Sequence, residues 1–179
     1  MLRFFLTLGL LLVGSSLNAE TVYLKPADAL RIHFKDSTSV VSERKSLSPA
    51  QRDALERELG AKMDREEWTF HVAKTGSKVD GYAVVDHEIG RMEPITFMTF
   101  LKANGEVQSV EILVYRETHG SEVRERRFLE QFENTRPAQP LIVGQGVRNI
   151  SGATLSVRAV TLGVRRALAV WNALYGGSS

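Results

Sequence analysis

Ile95-Thr96-Phe97-Met98-Thr99-Phe100-Leu101-Lys102-Ala103-Asn104-Gly105-Glu106-Val107-Gln108-Ser109-Val110-Glu111-Ile112-Leu113-Val114-Tyr115 decides the fold class. Its first eight residues alternate, with Ile95, Phe97, Thr99 and Leu101 on one side and Thr96, Met98, Phe100 and Lys102 on the other. A period of two is the signature of a strand. Asn104-Gly105 is a two-residue hairpin signal flanked by Ala103 and Glu106. Val107 to Tyr115 then returns as the partner strand, with Val110, Ile112 and Val114 on one face. Upstream, Trp68 to Lys74 alternates weakly and Gly81 to Asp86 has a β-branched centre. Strands that follow one another without intervening helices predict an antiparallel sheet.

Helices flank this sheet. Thr21 to Leu30 reads as an extended start turning into a short helix. Ser48-Pro49-Ala50-Gln51 opens a helix over 49–59, with a capping serine, proline at the first helical position and glutamine completing a capping box. Leu55 and Leu59 share its inner face, and Gly60 stops it. Ser121 to Asn134 reads as a charged helix with Phe128, Leu129 and Phe132 as its apolar stripe. Arg136 to Asn149, with Pro137, Pro140, Gly144 and Gly146, reads as a loop holding at most a short strand at 141–143. A long helix is expected from about Thr154 to Tyr175, where Val157, Val160, Val164, Leu168 and Trp171 recur at helical spacing. Arg158, Arg165 and Arg166 are expected to point away from that stripe, with no acid along the helix to offset them.

Composition narrows the function. The chain of 179 residues is 43% apolar and 25% charged, an ordinary globular balance for one domain. It has no cysteine, which excludes disulfides, thiolate metal sites and cysteine nucleophiles. With 23 basic against 21 acidic residues, the charge does not argue for nucleic acid. Met1 to Ala19 has a basic start at Arg3, an apolar run from Phe4 to Val13 and small residues after it, the layout of a secretory signal peptide. The expectation is an exported, periplasmic protein, where a cofactor must arrive with the protein or be fixed to it.

Ser151-Gly152-Ala153-Thr154 lies between the glycine-rich loop and the last helix. Small residues there let a ligand approach the backbone, and the free N–H groups with the helix dipole favour an anion. Thr154 and Ser156 add hydroxyls, and Arg158 lies one turn further on to help neutralise a phosphate. Serine, glycine and threonine are also ordinary helix openers. Histidines 33, 71, 87 and 119 are scattered without metal-ligand spacing, and Asp86-His87-Glu88 cannot converge easily because adjacent strand residues face opposite ways.

Ile150 to Ser156, with its Ser151-Gly152-Ala153-Thr154 core, resembles the signature of the FMN-binding domain family. That family includes the flavin-carrying C subunit of the sodium-translocating NADH:quinone reductase and the G subunit of the Rnf complex. Glu117-Thr118-His119-Gly120 is similar to the family's Glu-Thr-Pro-Gly segment, with His119 in the proline position. The resemblance covers roughly Val79 to Leu174. It implies an α+β fold with helices on a curved antiparallel sheet. The corresponding organisation is a signal peptide at 1–19, an N-terminal segment at 20–78 packed on the domain, and an FMN-binding domain at 79–179.

The resemblance further implies FMN as cofactor, esterified through its phosphate to Thr154 by a periplasmic flavin transferase, and a membrane redox partner. It implies a site made of Ser151, Gly152, Ala153, Thr154, Ser156, Arg158, Glu117, Thr118 and Gly120, with Tyr82, Phe97 and Tyr115 as candidate ring contacts. Arg148 stands where the transferase recognition pattern usually has an aspartate. Flavin exchanges one or two electrons, so an electron carrier is the expected function, and no autonomous catalytic residues are assigned. A module that binds FMN reversibly, or that has lost it and contacts a partner, is the alternative.

Overall fold

The structure is a computed structural model that describes residues 21–137 and 139–177. The expected signal peptide lies outside the described residues. The elements in chain order are β1 (Thr21–Val22), α1 (Pro26–His33), β2 (Ser39–Ser46), α2 (Pro49–Leu59), β3 (Glu67–Thr75), β4 (Lys78–Ile89), β5 (Pro94–Lys102), β6 (Val107–Tyr115), α3 (Arg126–Leu129), β7 (Ile142–Val143), β8 (Gly146–Val147) and α4 (Thr154–Tyr175). Six strands form one antiparallel sheet in the order β1-β6-β5-β4-β3-β2. The sheet runs without a break across residues 78–79, because β3 and β4 are a hairpin with Thr75 opposite Lys78. Residues 21–75 thus supply three of its strands.

Each face of the sheet carries its own core. On one face α4, α2 and α3 cover Trp68, Phe70, Phe97, Leu101 and Ile112. On the other, α1 brings Ala29, and Phe34 follows it, over Ala73, Ala83, Met98, Phe100 and Leu113. The alternation of β5 holds: Ile95, Phe97 and Leu101 face α4, while Met98 and Phe100 face α1. Gly163 of α4 has no Cβ because Phe97 fills that space, its ring 2.0 Å from where one would stand. Phe97 is therefore core packing, fully buried.

Strand β6 departs from the simple alternation. Thr96 pairs with Val114 but Phe97 pairs with Ile112, so Leu113 is an extra residue in β6. The bulge turns Val114 to the α1 side, correcting the expectation that it shares a face with Val110 and Ile112. It also turns Tyr115 onto the α4 side. The Asn104-Gly105 signal marks the hairpin, but a wider turn closes it: the Gly105 N–H donates to Lys102 O at 2.9 Å and Lys102 N–H to Glu106 O at 2.8 Å. Gly105 is required twice, by φ of +81° and by the Trp171 ring 2.0 Å from any Cβ.

Three further readings are corrected. The expected helix over 121–134 is broken into a 3-10 turn at Ser121–Arg124, the single turn α3, and a second 3-10 turn at Glu130–Phe132. Glu125 adopts an extended backbone between the first two pieces. The loop after it holds two short parallel strands, β7 and β8. Arg166 does not point away. It is 4% exposed and ends against two acids of β4, discussed below.

Candidate functional site

Helix α4 begins at Thr154 with Ala153 as its N-cap and no side chain capping it. The first-turn N–H groups of Thr154, Leu155 and Ser156 precede the α-helical ladder, which leaves them available to an anion. Gly152 enters this turn with φ of +85° and open space where a Cβ would lie. Larger residues are strained at that φ and would crowd the approach. The Thr154 hydroxyl accepts a hydrogen bond from Asn149 Nδ2 at 3.0 Å. That bond fixes the oxygen and leaves its proton free to point elsewhere. Ser151 and Arg158 are exposed on the same approach, and Ala153 is buried beneath it.

The Glu117–Gly120 loop is tied to this helix start. Tyr115, turned inward by the β6 bulge, donates to His119 O at 2.6 Å and shares a hydrogen bond with Ser156 Oγ at 3.1 Å. Burial raises the Tyr115 phenol above its ordinary value, so it remains a donor. Gly120 has φ of +82°, and a Cβ there would sit 2.6 Å from Ser156 Oγ and 2.9 Å from Tyr115 Oη. Glycine is what lets this loop close onto α4. Thr118 and His119 are exposed, with Thr118 Oγ1 2.9 Å from His119 Nδ1.

Glu117 holds a third segment. One carboxylate oxygen accepts the backbone N–H groups of Arg91, Met92 (2.6 Å) and Glu93 (3.0 Å). Burial pushes this carboxyl up, but those three N–H bonds outweigh it and hold it below the ordinary glutamate value. Glu117 therefore shapes the turn before β5 rather than standing free. The motif also borders a cavity of about 360 Å³, lined among others by Phe128, Gln131, Arg148, Asn149, Ile150 and Ser151. Its size and mixed lining fall in the range of small-molecule sites. Gln131 Oε1 accepts the Arg148 backbone N–H at 2.8 Å, fixing the loop that carries Asn149.

The fold brings together Ser151, Gly152, Ala153, Thr154, Ser156 and Gly120, with Glu117 and Thr118 in the adjoining loop. Tyr82 is not among them. It packs against Trp171 at 5.6 Å and Tyr175 at 4.7 Å between ring centroids, near the opposite end of α4. Seventeen or more helical residues separate that end from Thr154, roughly 25 Å at 1.5 Å per residue. Tyr82 is thus a core aromatic of that end. Tyr115 contributes through its hydroxyl, its ring being buried.

Sequence reasoning missed Asn149 and Arg166. A polar loop residue gives no pattern by which Asn149 stands out. Arg166 donates to Asp86 Oδ2 through Nη2 at 2.7 Å and Nε at 2.8 Å, and also pairs with Glu88. Arg65 holds the other Asp86 oxygen at 2.7 Å. His87, on the opposite side of the strand, meets Asp64 at 3.4 Å. Asp86 and Glu88 thus pin the middle of α4 to the sheet. The signal was their two-residue spacing on β4, which gives two carboxylates one face.

A sequence model of the FMN-binding domain matches residues 90–169, which run from the turn held by Glu117 into α4. No curated protein matches the chain. Among solved structures, the C subunit of the Na(+)-translocating NADH-quinone reductase from Parabacteroides distasonis has a similar fold, with a TM-score of 0.50 and 14% identity over 84% of each chain. The uncapped helix start, the open Gly152 and the placed Thr154 hydroxyl suit a phosphate-bearing cofactor. Over residues 90–169 the chain matches the FMN-binding domain, and FMN is its cofactor.

Proposed function

We propose that this chain is an exported flavoprotein that carries electrons, with the FMN phosphate held at the start of α4 and esterified to Thr154. The carrying observation is the Thr154 hydroxyl, oriented by Asn149 at 3.0 Å on an uncapped helix start. The N–H groups of the first turn receive the phosphate charge, and Arg158 adds a cation one turn on. Gly152 and Gly120 keep the approach clear, while Tyr115 and Ser156 hold the facing loop in place. When bound, FMN supplies one- and two-electron transfer.

Threonine is a weak nucleophile, so bond formation needs a separate flavin transferase. The tether suits an exported protein, which cannot draw on a cytosolic flavin pool. The N-terminal Met1–Ala19 pattern supports export, and no helix among the described residues is long and apolar enough to cross a membrane. The fold of a NADH-quinone reductase subunit supports a membrane redox complex as the electron partner.

The test is flavin fluorescence of the denatured band after co-expression with a flavin transferase. The wild-type chain retains fluorescence through denaturation, and Thr154→Ala loses it. Arg148, where the transferase pattern has an aspartate, favours a second reading in which FMN binds reversibly. A native yellow protein whose denatured band is dark would establish that reading.

A further inference from the structure

On the α1 side of the sheet, away from Tyr115 and Ser156, lies a second array of reactive groups. Ser109 and Glu111 are two apart on β6, so their side chains share a face. His33, the last residue of α1, sits between them. Ser109 Oγ is 3.1 Å from His33 Nδ1, and Glu111 Oε1 is 3.0 Å from His33 Nε2. The imidazole stacks on Phe100 with centroids 4.0 Å apart and an interplanar angle of 27°.

The hydrogen-bond chemistry fixes the roles. An ionised carboxylate only accepts, so His33 Nε2 must carry the proton facing Glu111. In the neutral imidazole Nδ1 is then an acceptor, and Ser109 must donate its hydroxyl proton to it. A hydroxyl donating to a base that a carboxylate orients is the arrangement of an activated serine. All three side chains line one cavity of about 300 Å³, together with Arg124, Arg126 and Leu129. Glu130 and Glu133 complete its charged rim.

We propose that Ser109 is a nucleophile toward small acyl esters, with His33 as its general base and Glu111 as a positioning residue. Ser109 Oγ forms a bond to the ester carbonyl carbon while its proton passes to His33 Nδ1. The bond from that carbon to the alkoxy oxygen breaks, and the alkoxide takes the proton from Nδ1 and leaves as the alcohol. Water then attacks the acyl carbon, gives its proton to Nδ1, and releases the carboxylic acid as Ser109 regains its own proton. Arg124, over the Tyr23 ring at 4.0 Å, and Arg126, paired with Glu130, are the cations lining the cavity that would face the developing oxyanion. This activity is independent of the FMN site.

The probes are a fluorophosphonate, read by intact mass and peptide mapping, and p-nitrophenyl acetate, read by nitrophenolate release, both on the full FMN-loaded chain. The expected result is one adduct on Ser109, absent in Ser109→Ala. Hydrolysis should fall about 100-fold in His33→Gln, the scale of a lost general base. Glu111→Gln should lower the rate and displace its pH profile, which a purely structural role would not do. Unchanged FMN retention and melting temperature in Ser109→Ala show that the fold persists. A folded wild-type chain without the adduct, an adduct on Thr154 instead, or hydrolysis undiminished in His33→Gln would each overturn the proposal.

Discussion

Helix α2 and helix α4 begin in opposite ways. At α2 the Ser48 hydroxyl accepts the Gln51 N–H at 3.2 Å, and the Gln51 side chain accepts the Ser48 N–H at 2.9 Å. Pro49 removes one more orphan donor. At α4 the N-cap is Ala153, which offers the first turn no side-chain acceptor. The two helices also differ in what holds them elsewhere. Helix α2 buries two residues, Leu55 and Leu59, so its own ends matter to it. Helix α4 buries thirteen, among them Arg166 locked to Asp86 and Glu88. A helix secured along its middle can leave its start free for a ligand, and the hydroxyls placed there then serve chemistry rather than capping.

The contrast yields predictions of decreasing size. Thr154→Ala should abolish denaturation-resistant flavin, while urea unfolding shows stability within about 0.5 kcal/mol of wild type, as for other partly exposed side chains. Equal loss of stability and flavin would mean that Thr154 is a cap after all. Arg166→Met should cost about 3 kcal/mol in urea unfolding, because it leaves buried carboxylates short of a partner. A neutral result would show that α4 is not secured there. Gly120→Ala should cost about 1–3 kcal/mol, from the left-handed backbone and the collision with Ser156 and Tyr115. FMN affinity, read by fluorescence titration of unloaded protein, should fall with it.

Ser48→Ala should cost about 1 kcal/mol in thermal or urea unfolding, the usual loss for a capping hydroxyl, and leave flavin binding untouched. The smallest effect concerns Glu117. Its carboxyl is depressed in the folded chain, so the stability it contributes is present above the ordinary glutamate value of 4.5 and disappears as pH falls below it. Glu117→Gln should lower the melting temperature slightly at pH 6 and converge on wild type towards pH 3, so that the acid limb of a melting series is flatter.

Much of the fold is legible in the chain because strong local signals agree with the tertiary structure. The capping box set the start of α2, and the valine, leucine and tryptophan stripe set the extent of α4. Strand β2 is not legible because it is an exposed edge strand rich in Ser, Glu, Arg and Lys, whose two valines, Val40 and Val41, are adjacent and so give no apolar face with a period of two. The bulge at Leu113 is invisible for another reason: register belongs to the pairing with β5, and Leu113 and Val114 are both apolar whichever face they take. Yet that bulge decides the site, since it aims Tyr115 at Ser156. Within the site, Thr154 and its glycine-rich approach are legible from the junction of loop and helix. Asn149, Gln131 and the Glu117 contact to residues 91–93 depend on loops meeting across the fold.

The central claim is that the open start of α4 carries FMN on Thr154. The most direct test is the intact mass of the denatured chain after co-expression with a flavin transferase, with the modified peptide mapped. The account predicts an added mass of one FMN less one water, located on Thr154. An unmodified mass from protein that was yellow before denaturation would contradict the bond, and a modification on any other residue would contradict the site.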